Sequence, residues 1–204
     1  MRLRATTLLA ENTTQPLHEL CRGCARVGLD VEFDNALDFT ERRELVENGD
    51  IDLVWACGLL TAELIDRGLR IDVVAAPVFP GETAPRYRSV VVSLVDGALG
   101  SLAEAVGGRL AVNEYGSWSG WHAYREHLRR HGLSVDQHPV QVVTGSHRNS
   151  VGAVLDGVAD VASIDSSVWA HLGSAGSDLA RANLDIGRLR VIDTTVDWPA
   201  PPLS

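Results

Sequence analysis

Short apolar runs rich in Val, Ile and Leu alternate along the chain with stretches whose apolar residues recur at helical spacing. The pattern predicts a strand over 3–9, a helix over 14–27 and a second strand over 30–35. A helix over 40–48 follows, with Thr40 as its N-cap and Gly49 as its stop, and then a strand over 51–56. A helix over 59–67, closed by Gly68, leads into the run 71–78, whose Val-Val-Ala-Ala centre predicts a strand buried on both faces. Alternation of this kind predicts parallel sheet with helices packed on it.

Residues 79–85 hold two prolines and a glycine and can continue neither helix nor strand, so the chain is expected to cross here into a second lobe. Beyond it, strands over 87–95, 109–113, 140–144 and 161–164 alternate with helices over 102–106, 119–131, 148–156 and 166–171. The strand over 189–194 is expected to return to the first lobe, and the proline-rich stretch 199–204 to be irregular. This divides the chain into lobe 1, residues 1–80 with 187–204, and an inserted lobe 2, residues 81–186. No repeat of fixed period and no low-complexity tract interrupts the pattern.

Composition narrows the classes. At 204 residues, 45% hydrophobic and 22% charged, the chain has the make-up of a globular protein and not of a disordered or fibrous one. A net charge of −9 opposes a nucleic-acid partner, since a phosphate backbone asks for a clustered basic face. The cluster Arg129, Arg130 and His131 ends a predicted helix, where cations suit the dipole. No run approaches the roughly 20 apolar residues of a membrane span, and the N-terminal apolar stretch is shorter than the roughly 7–15 residues of a secretory core. The sequence as written therefore predicts a cytoplasmic protein, periplasmic or on the cell surface only behind a removed leader.

Chemistry concentrates at three strand-to-helix junctions. The first, Asn113-Glu114-Tyr115-Gly116-Ser117-Trp118-Ser119-Gly120-Trp121, sets backbone N–H groups and two hydroxyls at the positive end of a helix dipole, an arrangement that suits a carboxylate, phosphate or phosphonate. Helix capping by Ser117 or Ser119 accounts for the same pattern. The second, Thr144-Gly145-Ser146-His147-Arg148-Asn149-Ser150, adds an imidazole at the same end of the sheet, where ligands of open α/β sheets gather. In the third, Asp165-Ser166-Ser167, Asp165 either caps a helix or accepts a hydrogen bond from the ligand, which would select against fully ionised anions. In the first lobe, Trp55 and Cys57 stand at a strand end; a buried, inert thiol is the alternative to a Cys57 activated by a helix N-terminus.

Other motifs are weaker. The three cysteines do not make a disulfide framework. His18, Cys21 and Cys24 fan over about 120° of one helix, too wide to meet at one ion, so neither metal nor cofactor is expected. Nucleophile elbow, dinucleotide fingerprint and P-loop are all absent.

Taken together, Asp52-Leu53-Val54-Trp55-Ala56-Cys57-Gly58, Tyr87-Arg88-Ser89-Val90-Val91-Val92, Asn113-Glu114 with Ser117-Trp118-Ser119-Gly120, and Gly145-Ser146-His147 continuing to the 157–165 segment resemble the phosphate/phosphite/phosphonate substrate-binding proteins of ABC transporters. The resemblance covers roughly residues 1–198. It implies an α/β fold of the type II periplasmic-binding-protein kind, two α/β lobes closing on a ligand cleft between them. It also assigns Ser117, Ser119, the Gly120 backbone and His147 to the anionic head group, and makes Asp165 and Tyr87 cleft residues, with Glu114 beside the first junction and Phe39 where relatives often carry a tyrosine. Trp118 departs from the family, which typically has a small hydroxyl residue there, and predicts a flatter, more apolar or aromatic ligand. The chain also stops where the family usually continues with further helix, so a homodimer or partner chain is expected to cover that part of the first lobe.

Three functions follow: binding or sensing of a small anionic metabolite; a cytosolic biosynthetic enzyme on the same fold with His147 as general acid/base, Asp165 as its orienter or a second base and Cys57 as nucleophile; or a structural or interaction module.

Overall fold

Alternating side chains in the first strands face two different apolar layers, and this fixes how the first helices pack. In the computed structural model, which describes residues 2–174 and 184–204, β1 (Leu3–Thr7), α1 (Thr14–Ala25), β2 (Val31–Phe33), α2 (Phe39–Glu47), β3 (Leu53–Trp55) and α3 (Gly58–Asp66) follow one another. The strands form a parallel sheet in the order β2-β1-β3. Trp55 joins Ala5, Leu17 and Cys21 on one side, whereas Val54 joins Leu8, Val46, Leu60 and Leu64 on the other. The cap of α2 is Asp38, not Thr40: its Oδ1 accepts the Glu41 N–H at 2.9 Å, and Glu41 Oε2 accepts the Asp38 N–H at 2.9 Å. The Asp-x-x-Glu capping box thus starts the helix at Phe39. Gly49 and Gly68, at φ +78° and +95°, end α2 and α3 as the pattern predicts.

The run 71–78 is not the two-face buried strand its composition predicts. Val73, Val74 and Val78 are 58%, 64% and 55% exposed, and only Ala75 makes a bridge, to Leu203. The place beside β3 is taken by the C-terminal segment expected to be irregular, whose Ser204 exchanges both backbone hydrogen bonds with Val54 at 2.7 and 2.9 Å. The apolar run is left outside it.

The chain then enters β4 (Arg86–Tyr87), β5 (Ser89–Leu94), α4 (Leu102–Ala105), β6 (Leu110–Val112), α5 (Ala123–Arg130), β7 (Gln141–Val143), α6 (His147–Leu155), β8 (Val161–Asp165), α7 (Ser166–Leu172), β9 (Leu189–Thr194) and β10 (Trp198–Pro199). Strands β5 to β9 form one sheet in the order β7-β6-β8-β5-β9. Here β6 runs parallel to both β7 and β8, while β5 is antiparallel to β8 and β9. The sheet is therefore mixed, and β9 does not return to the first lobe. Its pairing with β5, from Val90↔Thr194 to Leu94↔Leu189 across a bulge, holds it in the second. Two compact units result, residues 1–86 with 199–204, and residues 87–198. Val91, Leu110, Val112, Trp121, Tyr124, Leu128 and Val161 fill the core of the second. Among the described residues no helix is long and apolar enough to cross a membrane.

Candidate functional site

Because β7, β6 and β8 are parallel neighbours, the junctions that follow them emerge at one edge of the second unit's sheet. Asn113, Thr144 and Gly145 are knitted there: Thr144 N–H donates to Val112 O and Gly145 N–H to Asn113 O, both at 2.8 Å. At the same edge, Ser89 opens the antiparallel β5 opposite Asp165. Ser166 N–H donates to Arg88 O at 2.9 Å, which holds the segment after the buried Tyr87 against the start of α7.

After β6 the chain does not enter α5 directly. Residues Trp118–His122 form a π-helical turn, in which His122 N–H reaches Ser117 O at 3.1 Å. Ser117 caps it, its Oγ accepting the Gly120 N–H at 3.1 Å. Ser119 is buried and its Oγ is 2.9 Å from His147 Nε2, at the first residue of α6. The carbonyl of Ser119 accepts two hydroxyls from the sheet, Ser89 Oγ at 2.8 Å and Ser163 Oγ at 2.9 Å. A widened turn of this kind re-aims the residues it contains and is frequent at functional sites.

Gly120 is packed tightly against two side chains. A Cβ there would overlap Asn113 Oδ1 and stand 2.7 Å from Asn113 Cγ and 3.1 Å from His147 Cε1. Close backbone approach thus brings Asn113, Gly120 and His147 together. The second junction is capped by Ser146, whose Oγ accepts the Asn149 N–H at 3.1 Å, while Thr144 Oγ1 and Ser150 Oγ lie 2.7 Å apart beneath it. Asp165 caps α7, its Oδ1 accepting from the Ser167 N–H at 2.8 Å and the Ser167 hydroxyl at 2.6 Å.

Trp118 lies half-buried, edge-on to Trp198 at 4.9 Å and stacked on His122 at 6.0 Å. Arg130 covers the other ring of that pair, its guanidinium 5.7 Å from Trp198. Glu114 is exposed and its carbonyl accepts the Ser117 N–H at 3.2 Å. Sequence reasoning assigned no individual role to Ser89, Ser163, Asn113 and Trp198. The trace that Ser89 and Ser163 leave is a hydroxyl within an otherwise apolar strand. The remaining predicted residues belong to the first unit. Phe39 is exposed at the start of α2; Trp55 is in the core, with its indole N–H donated to Pro201 O at 3.0 Å; Cys57 caps α3, its carbonyl accepting Thr61 N–H at 2.9 Å.

A family model described as ABC transporter, phosphonate, periplasmic substrate-binding protein matches residues 13–204. The chain belongs to this family. A comparison with curated protein sequences finds no match. Among solved structures, phosphonate-family chains are similar at low identity. PhnD1 from Prochlorococcus marinus in complex with methylphosphonate superposes with a TM-score of 0.76 at 15% identity, over 98% of this chain and 75% of that one. The binding-protein component of a phosphonate ABC transporter from Pseudomonas aeruginosa gives 0.75 at 19%, over 98% and 67%. XAC2383 from Xanthomonas citri bound to ATP gives 0.65 at 19%, over 98% and 75%. These likenesses carry the type II binding-protein fold, and the family match carries the membership of this chain. Its family is that of periplasmic proteins which bind small anionic solutes for ABC transporters.

Proposed function

We propose that this chain is a solute-binding protein holding a phosphonate-, phosphate- or carboxylate-like head group at the edge where β6, β7 and β8 end, with Ser117, Ser119, the Gly120 backbone and His147 as its contacts. The observation that carries this is the buried Ser119–His147 hydrogen bond set at neighbouring helix starts of one sheet edge. Helix starts supply partial positive charge and N–H donors. If His147 Nε2–H donates to Ser119 Oγ, the serine proton points onward to the anion, and the two bonds strengthen each other. Asp165 and Glu114 at the same edge favour a protonated oxygen or an amine on the ligand over a full dianion. The indole of Trp118 gives the site an aromatic wall and favours a flat or aromatic substituent. Tyr87, of the same unit, completes the proposed set. The family is periplasmic, and we place the chain's work outside the cytoplasmic membrane, delivering ligand to a permease.

The test is calorimetric titration and thermal shift with methylphosphonate, phenylphosphonate, phosphate and benzoate. A ligand present at a hundred times its dissociation constant stabilises the fold by about 2.7 kcal/mol. Ser119→Ala removes a hydrogen bond to a charged group, worth roughly 1.5–3 kcal/mol, and so weakens binding about 10- to 150-fold with the fold intact. A melting temperature that no anion raises, or an affinity that Ser119→Ala and His147→Ala leave unchanged, overturns the assignment.

A further inference from the structure

The same unit carries a second polar cluster, built from none of the residues assigned to the anion. His127 on α5 and His131 at its C-cap are one helical turn apart and share a face. Together with Asp193 of β9 they bring one nitrogen of each ring and a carboxylate oxygen within 4.8 Å of one another. His127 is only 5% exposed, and neither of its ring nitrogens has a hydrogen-bond partner among the described residues. Its Nε2 is 3.4 Å from Asp193 Oδ2, and the two imidazoles meet edge-on with centroids 4.5 Å apart. The atoms facing away are already occupied. His131 Nδ1 donates to the His127 carbonyl at 2.9 Å, and Asp193 Oδ1 accepts the Thr194 N–H at 2.7 Å. This leaves the lone pair of His131 on Nε2 and turns Asp193 Oδ2 towards His127.

A buried imidazole with two unsatisfied nitrogens is costly, and a cation bound at one of them removes the cost at that nitrogen. Outer hydrogen bonds from a ligating histidine to a backbone carbonyl, as His131 makes, are the usual way of fixing its tautomer and orientation. Two imidazoles and one carboxylate suit a borderline ion such as zinc, whereas magnesium and calcium take oxygen ligands. Tetrahedral zinc, with bonds of about 2.0–2.1 Å, sets its ligand atoms about 3.3 Å apart. The His127–Asp193 pair already stands at that spacing, and His131, exposed at the helix end, has room to close the third side. We propose that His127, His131 and Asp193 form a zinc-binding site with a fourth position open to water. The expectation of no metal rested on His18, Cys21 and Cys24, which α1 spreads along one helix, Cys21 in the core and His18 against Phe33. The sequence could not show that β9 packs its aspartate beside α5.

The test uses the full chain without a histidine tag, stripped with a chelator and titrated with Zn²⁺ by calorimetry, with Co²⁺ absorption as the report of coordination geometry. One equivalent of zinc is expected, with the visible bands of tetrahedral cobalt. His131→Ala and Asp193→Asn, at positions that reach solvent, weaken binding at least about tenfold and abolish those bands. His18→Ala/Cys24→Ser leaves both unchanged. No saturable zinc binding by the parent protein, equal binding by His131→Ala and Asp193→Asn, or loss confined to His18→Ala/Cys24→Ser overturns the proposal.

Discussion

Replacing Gly120 by alanine tests whether close packing at the first junction sets the anion site. The new Cβ would overlap Asn113 Oδ1 and sit 2.7 Å from Asn113 Cγ, where carbon atoms normally approach to about 3.5–4.0 Å. Asn113 must therefore retreat by about 1 Å, and His147, with Cε1 at 3.1 Å, by a few tenths. The backbone of Asn113 cannot yield, because its carbonyl holds Gly145 N–H. Overpacking of this size costs about 1–3 kcal/mol, and the gain in helix propensity on replacing glycine returns roughly 0.5–1 kcal/mol. The net loss is up to about 2.5 kcal/mol, or up to roughly 10 °C in melting temperature at about 2–4 °C per kcal/mol. Gly116 is the matched control: it lies in the same junction with nothing within 4 Å of a built Cβ, so Gly116→Ala should be neutral or slightly stabilising. Truncation of Asn113 opens the space, so Asn113→Ala/Gly120→Ala should be more stable than the two single losses sum to. Differential scanning calorimetry of the four variants, with anion titrations of each, is the assay. If Gly120→Ala melts with Gly116→Ala and binds the anion equally well, the packing argument fails.

Two further outcomes follow from buried polar groups nearby. His138 accepts the Tyr124 hydroxyl at 3.0 Å on Nε2 and donates from Nδ1 to Gly108 O at 2.8 Å, and burial holds its pKa below the usual histidine value, with the Gly108 bond opposing. The neutral form is thus the folded form: its stability is complete above about pH 6.5 and falls, by up to about 1.4 kcal/mol per unit, as pH drops towards the folded pKa. Urea midpoints between pH 8 and 5 should fall more steeply for the parent chain than for His138→Gln, and parallel curves would refute the assignment. Ser89→Ala and Ser163→Ala each remove one hydroxyl from the Ser119 carbonyl, at about 1 kcal/mol apiece. The double variant strips that carbonyl of both and should cost more than the sum in a denaturant cycle; strict additivity would show that the two serines do not share it.

Most of the fold was legible because it rests on local periodicity. Each of α1 to α7 begins within four residues of its predicted start, since capping and apolar spacing are local properties. What misled the reading was competition for sheet edges. The run 71–78 has the composition of a central strand, yet Leu203 and Ser204 take the place beside β3, and nothing within 71–78 records that rival. The strand 189–194 is legible as a strand, but its unit is not, because its pairing with β5 is a choice between distant edges of similar apolar character.

The same distinction separates the two polar sites. Residues of the anion junctions follow parallel neighbouring strands, so a correct alternation of strand and helix is enough to gather Ser117, Ser119, His147 and Asp165 at one edge. The π-turn that buries Ser119 against His147 was not legible, since it depends on Ser89 and Ser163 reaching one carbonyl from β5 and β8. The histidine cluster needed more still: His127 and His131 are visible as a helical pair, but their third partner stands on β9, the strand that was misplaced. Strand order therefore hides the third ligand of a cluster whose helical half is in plain view, whereas strand direction alone gathers the junction residues at one edge.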